Sequence, residues 1–483
     1  MNVYNQSSIV LTLILSISMF FTSHAQFSDL IQARSPQKSI IKQFEDDGLA
    51  HFSYAIYSDG KVILVDPGRN PQQYYDYAKE MNARIVGVIE THPHADFVSS
   101  HLEIHQSTGA PIYVSELVNV HYDFVPFDEG DKITLADGVI LKALFTPGHS
   151  PDGISIVLEE DGVDIAVFTG DTMFIGDVGR PDLREAAGSI QAQRTELAKM
   201  MYHSTREKLM KLDDGVLVYP AHGAGSLCGK SLSKEKVSTI GQEKLNNYAL
   251  QPMSEEEFVA VLLEDQPFIP KYFPFSVEVN RMGAQAYQSA KLAVNQLPQN
   301  TVPREGAYII DGRNQAAFKS SHIPDAINIM NGAKFETWLG SLVPPTEAYY
   351  LIADSEEALE EMISKTTKIG YEPYIKGAFV YTLSDGETMS EFDRAAFDAN
   401  PESFTILDIR NRGEVEQKQV FANAINIPLP ELMERAKELP TDKPIVVHCG
   451  TGYRSAAGSS IVHQMLKGAK IIDMGSSILD YNK

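Results

Sequence analysis

The chain has 483 residues, 43% of them hydrophobic, with 41 basic against 64 acidic side chains and a formal net charge of −23. That hydrophobic share lets each of about three domains bury a core. The negative balance repels phosphate backbones and anionic lipid surfaces, which excludes nucleic acid as an expected partner, and two distant cysteines, Cys228 and Cys449, exclude a disulfide scaffold.

Residues 1–25 read as a signal peptide. Ile9 to Phe21 is mostly apolar but too short for a spanning helix, and Ser23-His24-Ala25 before Gln26 fits an A-x-A-like cleavage site. The stretch before it lacks the usual Lys or Arg, so an uncleaved N-terminal anchor is the alternative. Removal of the signal predicts an exported, periplasmic protein with no further segment apolar enough to span a membrane.

Residues 37–245 alternate strands with turns and helices. His51 to Ile56 and Lys61 to Val65 are strands around the turn Ser58-Asp59-Gly60. Ile85 to Ile89 is a buried strand that ends at Thr91-His92-Pro93-His94-Ala95-Asp96-Phe97. Ile165 to Phe168 leads into Gly170-Asp171, and Val216 to Tyr219 into Pro220-Ala221-His222. Sites in α/β folds gather at strand ends of this kind. Ile190 to Leu212 reads as one long helix. Residues 246–285, with a helical first turn at Ser254-Glu255-Glu256-Glu257 and then Pro267, Pro270 and Pro274, form a helical connector packed on the first domain.

The remainder is a duplication. Ile309-Ile310-Asp311-Gly312-Arg313 recurs as Ile406-Leu407-Asp408-Ile409-Arg410, and Ala326-Ile327-Asn328-Ile329 recurs as Ala424-Ile425-Asn426-Ile427. The common spacing of about a hundred residues is too long for a solenoid repeat and predicts two small α/β domains, 286–385 and 386–483.

Three segments carry candidate metal ligands: His92/His94/Asp96, then Thr146-Pro147-Gly148-His149, then Thr169-Gly170-Asp171. His222 is a fourth. Imidazole and carboxylate suit iron, zinc or manganese. The usual H-x-H-x-D-H loop of two-metal hydrolases ends in His, but here that position is Phe97, which has no lone pair to give a metal. The change points away from two-metal hydrolysis and toward single-metal chemistry.

With Gly179-Arg180-Pro181-Asp182 and Tyr219-Pro220-Ala221-His222-Gly223-Ala224-Gly225, these blocks resemble the metallo-β-lactamase superfamily, and within it the persulfide dioxygenases (sulfur dioxygenases). The resemblance implies an αββα sandwich and one Fe(II) per chain, with zinc the alternative, held by His92, His149 and Asp171. His94, Asp96 and His222 would then stand behind the ligands and orient them or bound water; in a two-metal relative they would be ligands themselves. Two His and one carboxylate leave open positions for O2 and a persulfide. Both oxygen atoms would go to the terminal sulfur, and hydrolysis would release sulfite and the thiol. Glutathione is the family's commonest carrier, another thiol is the alternative, and a homodimer is compatible with the family's habit of pairing. Arg180 either places the anionic substrate or forms an ion pair with Asp177 or Asp182.

Cys449-Gly450-Thr451-Gly452-Tyr453-Arg454 follows the apolar strand Ile445-Val446-Val447. A Cys opening a Gly-containing loop into a helix has its sulfur among backbone N–H groups, and Arg454 adds positive charge; both favour an anionic sulfur. The loop, with Asp408-x-Arg410 and Ala424-x-Asn426, resembles rhodaneses. Four residues separate Cys449 from Arg454, one fewer than in phosphatase loops, which favours sulfur transfer. The resemblance makes Cys449 and Arg454 catalytic, Gly450, Thr451, Gly452 and Tyr453 the cradle, and sulfite and thiosulfate the partners. In the first copy Tyr349-Tyr350-Leu351-Ile352 runs into Ala353-Asp354-Ser355-Glu356 with no Cys, which predicts an inactive copy. Cys228 reads as structural or adjacent to substrate.

Three functions compete. The leading one is an iron persulfide dioxygenase fused to sulfurtransferase units. A thioester hydrolase of the glyoxalase II type with accessory rhodanese domains is the second, and a sulfur-binding or partner-recruiting protein with an inert first domain the third.

Overall fold

The computed structural model describes residues 37–185 and 193–482. The expected signal segment, residues 1–25, lies outside them. No helix among the described residues is long and apolar enough to cross a membrane.

Two six-stranded sheets face each other. The first runs in chain order from Ile40–Asp46 through His51–Ser58, Lys61–Val65, Arg84–Ile89 and Ile112–Val114 to Val125–Pro126. Its first three strands are antiparallel and the rest pair in parallel. The second places Val163–Gly170 between Ile154–Glu160, antiparallel, and Leu217–Pro220, parallel. Alternation sorts the side chains. Phe52, Tyr54, Ile56, Ile63 and Val65 point inward against Leu141, Ile156, Leu158 and Phe168, each such burial contributing roughly 1.5–3 kcal/mol. Ala55, Val62 and Leu64 point outward under the helix Gln72–Glu80, where Tyr74 and Ala78 cover them. On the far side Val167 and Val218 pack against Leu209, Ile240 and Leu250. The layers are thus helix, sheet, sheet, helix, the αββα sandwich.

Of the expected helix from Ile190 to Leu212, residues 190–192 lie outside the described residues and the rest is interrupted. Arg194–His203 is α-helical, Ser204–Lys208 widens into a π turn and Leu209–Lys211 tightens to 3-10. The Thr205 hydroxyl donates to the Met201 carbonyl (2.8 Å), which competes with the α ladder at the break, while the Ser204 hydroxyl ties the helix to the Pro147 carbonyl (2.6 Å).

Two four-stranded parallel sheets follow, with matching order. In the first, Tyr308–Asp311 lies between Ile327–Asn328 and Tyr349–Ala353, with Ile375–Val380 outermost. In the second, Thr405–Asp408 lies between Ile425–Asn426 and Ile445–His448, with Ile471–Asp473 outermost. The duplicated motif makes the same bonds twice. Arg313 grips Asp311 and Arg410 grips Asp408, side chain to side chain. The Asn328 amide donates to the carbonyls of Asp311 and Arg313, as Asn426 does to those of Asp408 and Arg410. These pairs frame the strand ends and leave the chemistry to other residues.

One hydrophobic cluster runs from Phe97 and Cys228 through Tyr272, Phe273 and Val277 into both repeats, reaching Ile409, Cys449 and Ile461. The connector supplies its middle. Its helix Glu255–Leu263 begins with a capping box at Ser254 and Glu257 and packs on Arg194–His203. Its helix Phe273–Met282 runs beneath the loop that carries His92.

Candidate metal centre

Four parallel strands end at one edge of the sandwich, and each delivers a side chain there. Asp66 follows Val65, His92 follows Ile89 by three residues, Asp171 follows Gly170, and His222 follows Pro220 by two. His94 and Asp96 come on the His92 loop, and His149 on the loop before Ile154–Glu160. All of these side chains are buried, none above 4% exposed.

Asp171 is the centre of the arrangement. Its Oδ2 lies 3.4 Å from His149 Nε2 and 3.8 Å from His92 Nε2, while its Oδ1 lies 3.5 Å from His222 Nε2. Asp96 Oδ1 stands 3.4 Å from His222 Nε2. The ligand atoms of His92, His94 and Asp171 fall within 4.8 Å of one another, as do those of His94, Asp96 and His222, and those of His149, Asp171 and Cys228. His94 therefore comes within reach of the same centre as His92, nearer than a purely supporting role requires. It also turns Nε2 to Asp66 Oδ1 at 3.3 Å. Cys228, expected to be structural or near substrate, is buried against this cluster.

The hydrogen bonds settle which imidazole nitrogens face the centre. Thr91 Oγ1 donates to Asp66 Oδ2 (2.9 Å), so His92 Nδ1 donates to Thr91 Oγ1 (3.0 Å) and leaves its lone pair on Nε2. His149 Nδ1 donates to the Arg180 carbonyl (2.9 Å) and His222 Nδ1 to that of Ala50 (3.3 Å), with the same result. Anchored outer nitrogens and inward lone pairs are what metal-binding imidazoles require. Among the described residues, His92 Nε2, both nitrogens of His94, Asp96 Oδ1, both carboxylate oxygens of Asp171 and His222 Nε2 have no hydrogen-bond partner. Buried orphans in such number are costly unless something binds them. Their chemistry, imidazole with carboxylate, fits a divalent transition metal.

The electrostatics favour neutral rings at His92 and His149 and a protonated one at His222. Burial, then the neighbouring His94 and His149, pushes His92 well below its ordinary value, and burial lowers His149 against the pull of Asp171. Burial also opposes charge on His222, but Asp171 and Asp96 outweigh it and raise it to about 9. Burial likewise lifts the Cys228 thiol well above its usual range.

Phe97 packs its ring 3.9 Å from that of His51 and 4.4 Å from that of His94, centroid to centroid. Gly179 is needed behind His149, since a Cβ there would strike the Asp171 carbonyl and come within 2.9 Å of His149 Cβ.

Several supports escaped the sequence reading. The Asn280 amide donates to the carbonyls of His94 (2.9 Å) and Phe97 (2.8 Å), and its oxygen accepts from the Ser99 N–H (2.8 Å). Tyr272 donates to the Asp96 carbonyl at 3.2 Å. The Val98 N–H donates to the carbonyl of Lys368 in the first repeat, whose ammonium pairs with Asp46 and Glu336. The first repeat thus buttresses the loop. Arg180 corrects one expectation: its guanidinium is buried, forked on Asp182 at 2.7 Å twice, and its remaining donors reach the carbonyls of Leu227 and Phe268. Its charge and four of its five N–H donors are thus engaged within the protein, and of the two carboxylates considered Asp182, not Asp177, is the partner.

In the second repeat, the Gly452 N–H donates to Cys449 Sγ at 3.1 Å, just before the helix Tyr453–Met465. Gly452 has φ +97°, and a Cβ there would strike the Gly475 backbone. Gly450 and Thr451 span the loop between. Two side chains of the loop have tertiary partners. The Tyr453 hydroxyl donates to the Met330 carbonyl of the first repeat (2.7 Å), which anchors its side chain there. Arg454 is forked on Glu414 at 2.6 and 2.7 Å, and the Cys449 sulfur also lies within its field. A cleft of about 940 Å³ separates the Cys228-bearing loop, at Ser226, Leu227 and Gly229, from Asn411, Arg412 and Glu414.

Residues 46–222 match the family model of the metallo-beta-lactamase superfamily, and residues 388–480 that of the rhodanese-like domain. The mitochondrial persulfide dioxygenase ETHE1 of Bos taurus is 30% identical over 228 residues, which are 47% of this chain and 80% of that protein. Hydroxyacylglutathione hydrolase GloC of Haemophilus influenzae is 27% identical over 221 residues, 41% of this chain and 92% of that protein. Among solved structures, a metallo-beta-lactamase from Staphylococcus aureus superposes with TM-score 0.63 at 30% identity, covering 71% of this chain and 99% of its own.

Proposed function

The chain belongs to the metallo-beta-lactamase superfamily and carries a rhodanese-like domain over residues 388–480, and on that premise we propose that it is an iron-dependent persulfide dioxygenase coupled to a sulfurtransferase. The observation that carries this reading is the Asp171 carboxylate set between His92 and His149, beside a Phe97 that gives the neighbouring group no fourth ligand. A ferrous ion held by His92, His149 and Asp171 would supply open positions at which O2 and an anionic persulfide meet.

The residues divide the work. Thr91 and the Arg180 carbonyl hold the His92 and His149 rings so that Nε2 faces inward. Asp96 pairs with His222, which is poised to give or take a proton near the reacting atoms. Burial of all of these groups excludes bulk water. The overall change consumes one O2 and one water per persulfide and releases sulfite and the thiol. In the second repeat, a sulfur carried on Cys449 would pass to sulfite; the Cys449 S–S bond breaks, a new S–S bond forms, and thiosulfate leaves. The cleft between the Cys228 loop and Glu414 lies between the two chemistries and is our candidate seat for the thiol carrier, glutathione or another small thiol. Export to the periplasm, expected from residues 1–25, belongs to the same proposal, and cell fractionation tests it.

A second reading, a thioester hydrolase, draws on the group His94, Asp96 and His222 and on the hydroxyacylglutathione hydrolase relatives. One experiment separates the two. Iron-loaded full chain mixed with glutathione persulfide and other small persulfides should consume one O2 for each sulfite or thiosulfate formed, and should leave S-lactoylglutathione intact. Thioester cleavage without O2 uptake overturns the reading.

A further inference from the structure

A second set of metal-ligating side chains lies outside the sandwich, where the two repeats meet. It comprises His322, which follows the helix Gln315–Ser320 of the first repeat, Glu387 on the segment between the repeats, and His463 on the helix Tyr453–Met465 of the second. We propose that His322, Glu387 and His463 form a binding site for a divalent transition metal, zinc being the best fit, that clamps the two repeats together.

The geometry is that of a site held ready. His322 is 1% exposed, stacked on Phe318 with ring centroids 4.0 Å apart. Its Nδ1 donates to the Phe318 carbonyl at 2.8 Å, so the lone pair sits on Nε2. Glu387 is fixed opposite it by a pair of backbone bonds, each N–H donating to the other residue's carbonyl at 2.9 Å. Its two carboxylate oxygens then face the two imidazoles, Oε2 at 3.8 Å from His322 Nε2 and Oε1 at 3.7 Å from His463 Nε2. All three ligand atoms fall within 4.8 Å of one another. These separations are too long for hydrogen bonds. They are close to the spacing of about 3.3 Å expected between ligands of a tetrahedral ion bound at ~2.0–2.1 Å. Among the described residues, Glu387 Oε2 and His463 Nε2 have no hydrogen-bond partner, an expensive arrangement unless an ion sits between them.

The donor set selects the ion. Two imidazoles and one carboxylate suit zinc and its neighbours rather than magnesium or calcium, which prefer oxygen alone. Side-chain exposures of 26% for His463 and 37% for Glu387 leave a side open to water, which completes the coordination. The consequence is mechanical. The helix bearing His463 begins at the Cys449 loop, so an ion here ties the sulfur-carrying loop to the repeat that buttresses the metal centre.

The test uses the chelator-stripped full chain, reloaded with zinc or cobalt(II) and desalted. Wild type should retain one more ion per chain than His463→Ala, and Glu387→Gln should weaken that ion roughly 100-fold or more. Asp171→Ala should keep it, since the site is independent of the sandwich. Cobalt should give visible ligand-field absorption that His463→Ala loses and Asp171→Ala retains. Zinc should raise the melting temperature of wild type more than that of His463→Ala, while the two melt alike in chelator. Equal ion counts in wild type and His463→Ala, or loss of this ion in Asp171→Ala instead, overturns the proposal.

Discussion

His51 and Phe97 stand ring against ring, centroids 3.9 Å apart and planes 36° apart. Phe97 thereby fills with hydrocarbon the position from which a histidine would serve the group His94, Asp96 and His222. Phe97→His should restore a ligand there, and zinc loading of the variant should rise by one ion per chain over wild type under identical conditions. An unchanged count by elemental analysis would show that something other than Phe97 limits that group.

Asn280 holds three backbone groups of the ligand loop at once, the carbonyls of His94 and Phe97 and the N–H of Ser99. Asn280→Ala leaves these buried groups without partners. It should cost about 3 kcal/mol in urea unfolding and weaken iron binding by roughly 10- to 100-fold in chelator competition. Iron affinity within twofold of wild type would mean that the loop keeps its shape without the connector.

The two chemistries should separate at Cys449. Cys449→Ser removes the only sulfur in the cradle and touches none of the residues around Asp171. O2 uptake with a persulfide should remain within about twofold of wild type. Thiosulfate should vanish from the products, with sulfite accumulating in its place, as ion chromatography would show.

Arg454 spends its charge on Glu414. Burial pushes the Glu414 carboxyl up, but the hydrogen bonds and charge of Arg454 outweigh it and hold the group below the ordinary carboxylate value. With the folded value depressed, the pair persists throughout the neutral range and is lost only as pH falls through that lowered value. Glu414→Gln should free the guanidinium for anions at neutral pH. The KM for thiosulfate in sulfur transfer should fall by roughly threefold to tenfold, corresponding to about 1 kcal/mol for a partly exposed charge pair. An unchanged KM would mean that Arg454 is a structural partner of Glu414 and nothing more.

The strands were legible because their apolar runs end in turn residues, and His92, Asp171 and His222 were legible because each follows such a run. The duplication was legible as well, down to Asp311-Arg313 and Asp408-Arg410, because those pairs are local and repeat in register. What escaped the sequence is non-local. Asn280 reaches His94 across 186 positions, and nothing in the connector's composition marks one asparagine as a buttress. His51 reads as an ordinary strand residue, since period-2 alternation says which face it takes and not what meets it there. Asp66 did carry a signal, as the residue directly after an apolar strand in Val65-Asp66-Pro67-Gly68. Arg180 and Arg454 looked available to substrate because a sequence shows charges without their partners. Asp182 is two positions from Arg180, but the Glu414–Arg454 pair depends on the tertiary fold.

The central claim is a single oxygen-activating ion at Asp171. Its most direct test is persulfide-dependent O2 uptake by iron-loaded wild type and Asp171→Ala, with sulfite and thiosulfate measured in the same samples. Wild type should take up one O2 per sulfite and thiosulfate combined, and Asp171→Ala should lose uptake and both products together by at least 100-fold. Undiminished uptake in Asp171→Ala, or a wild type that cleaves thioesters and ignores O2, would contradict the account.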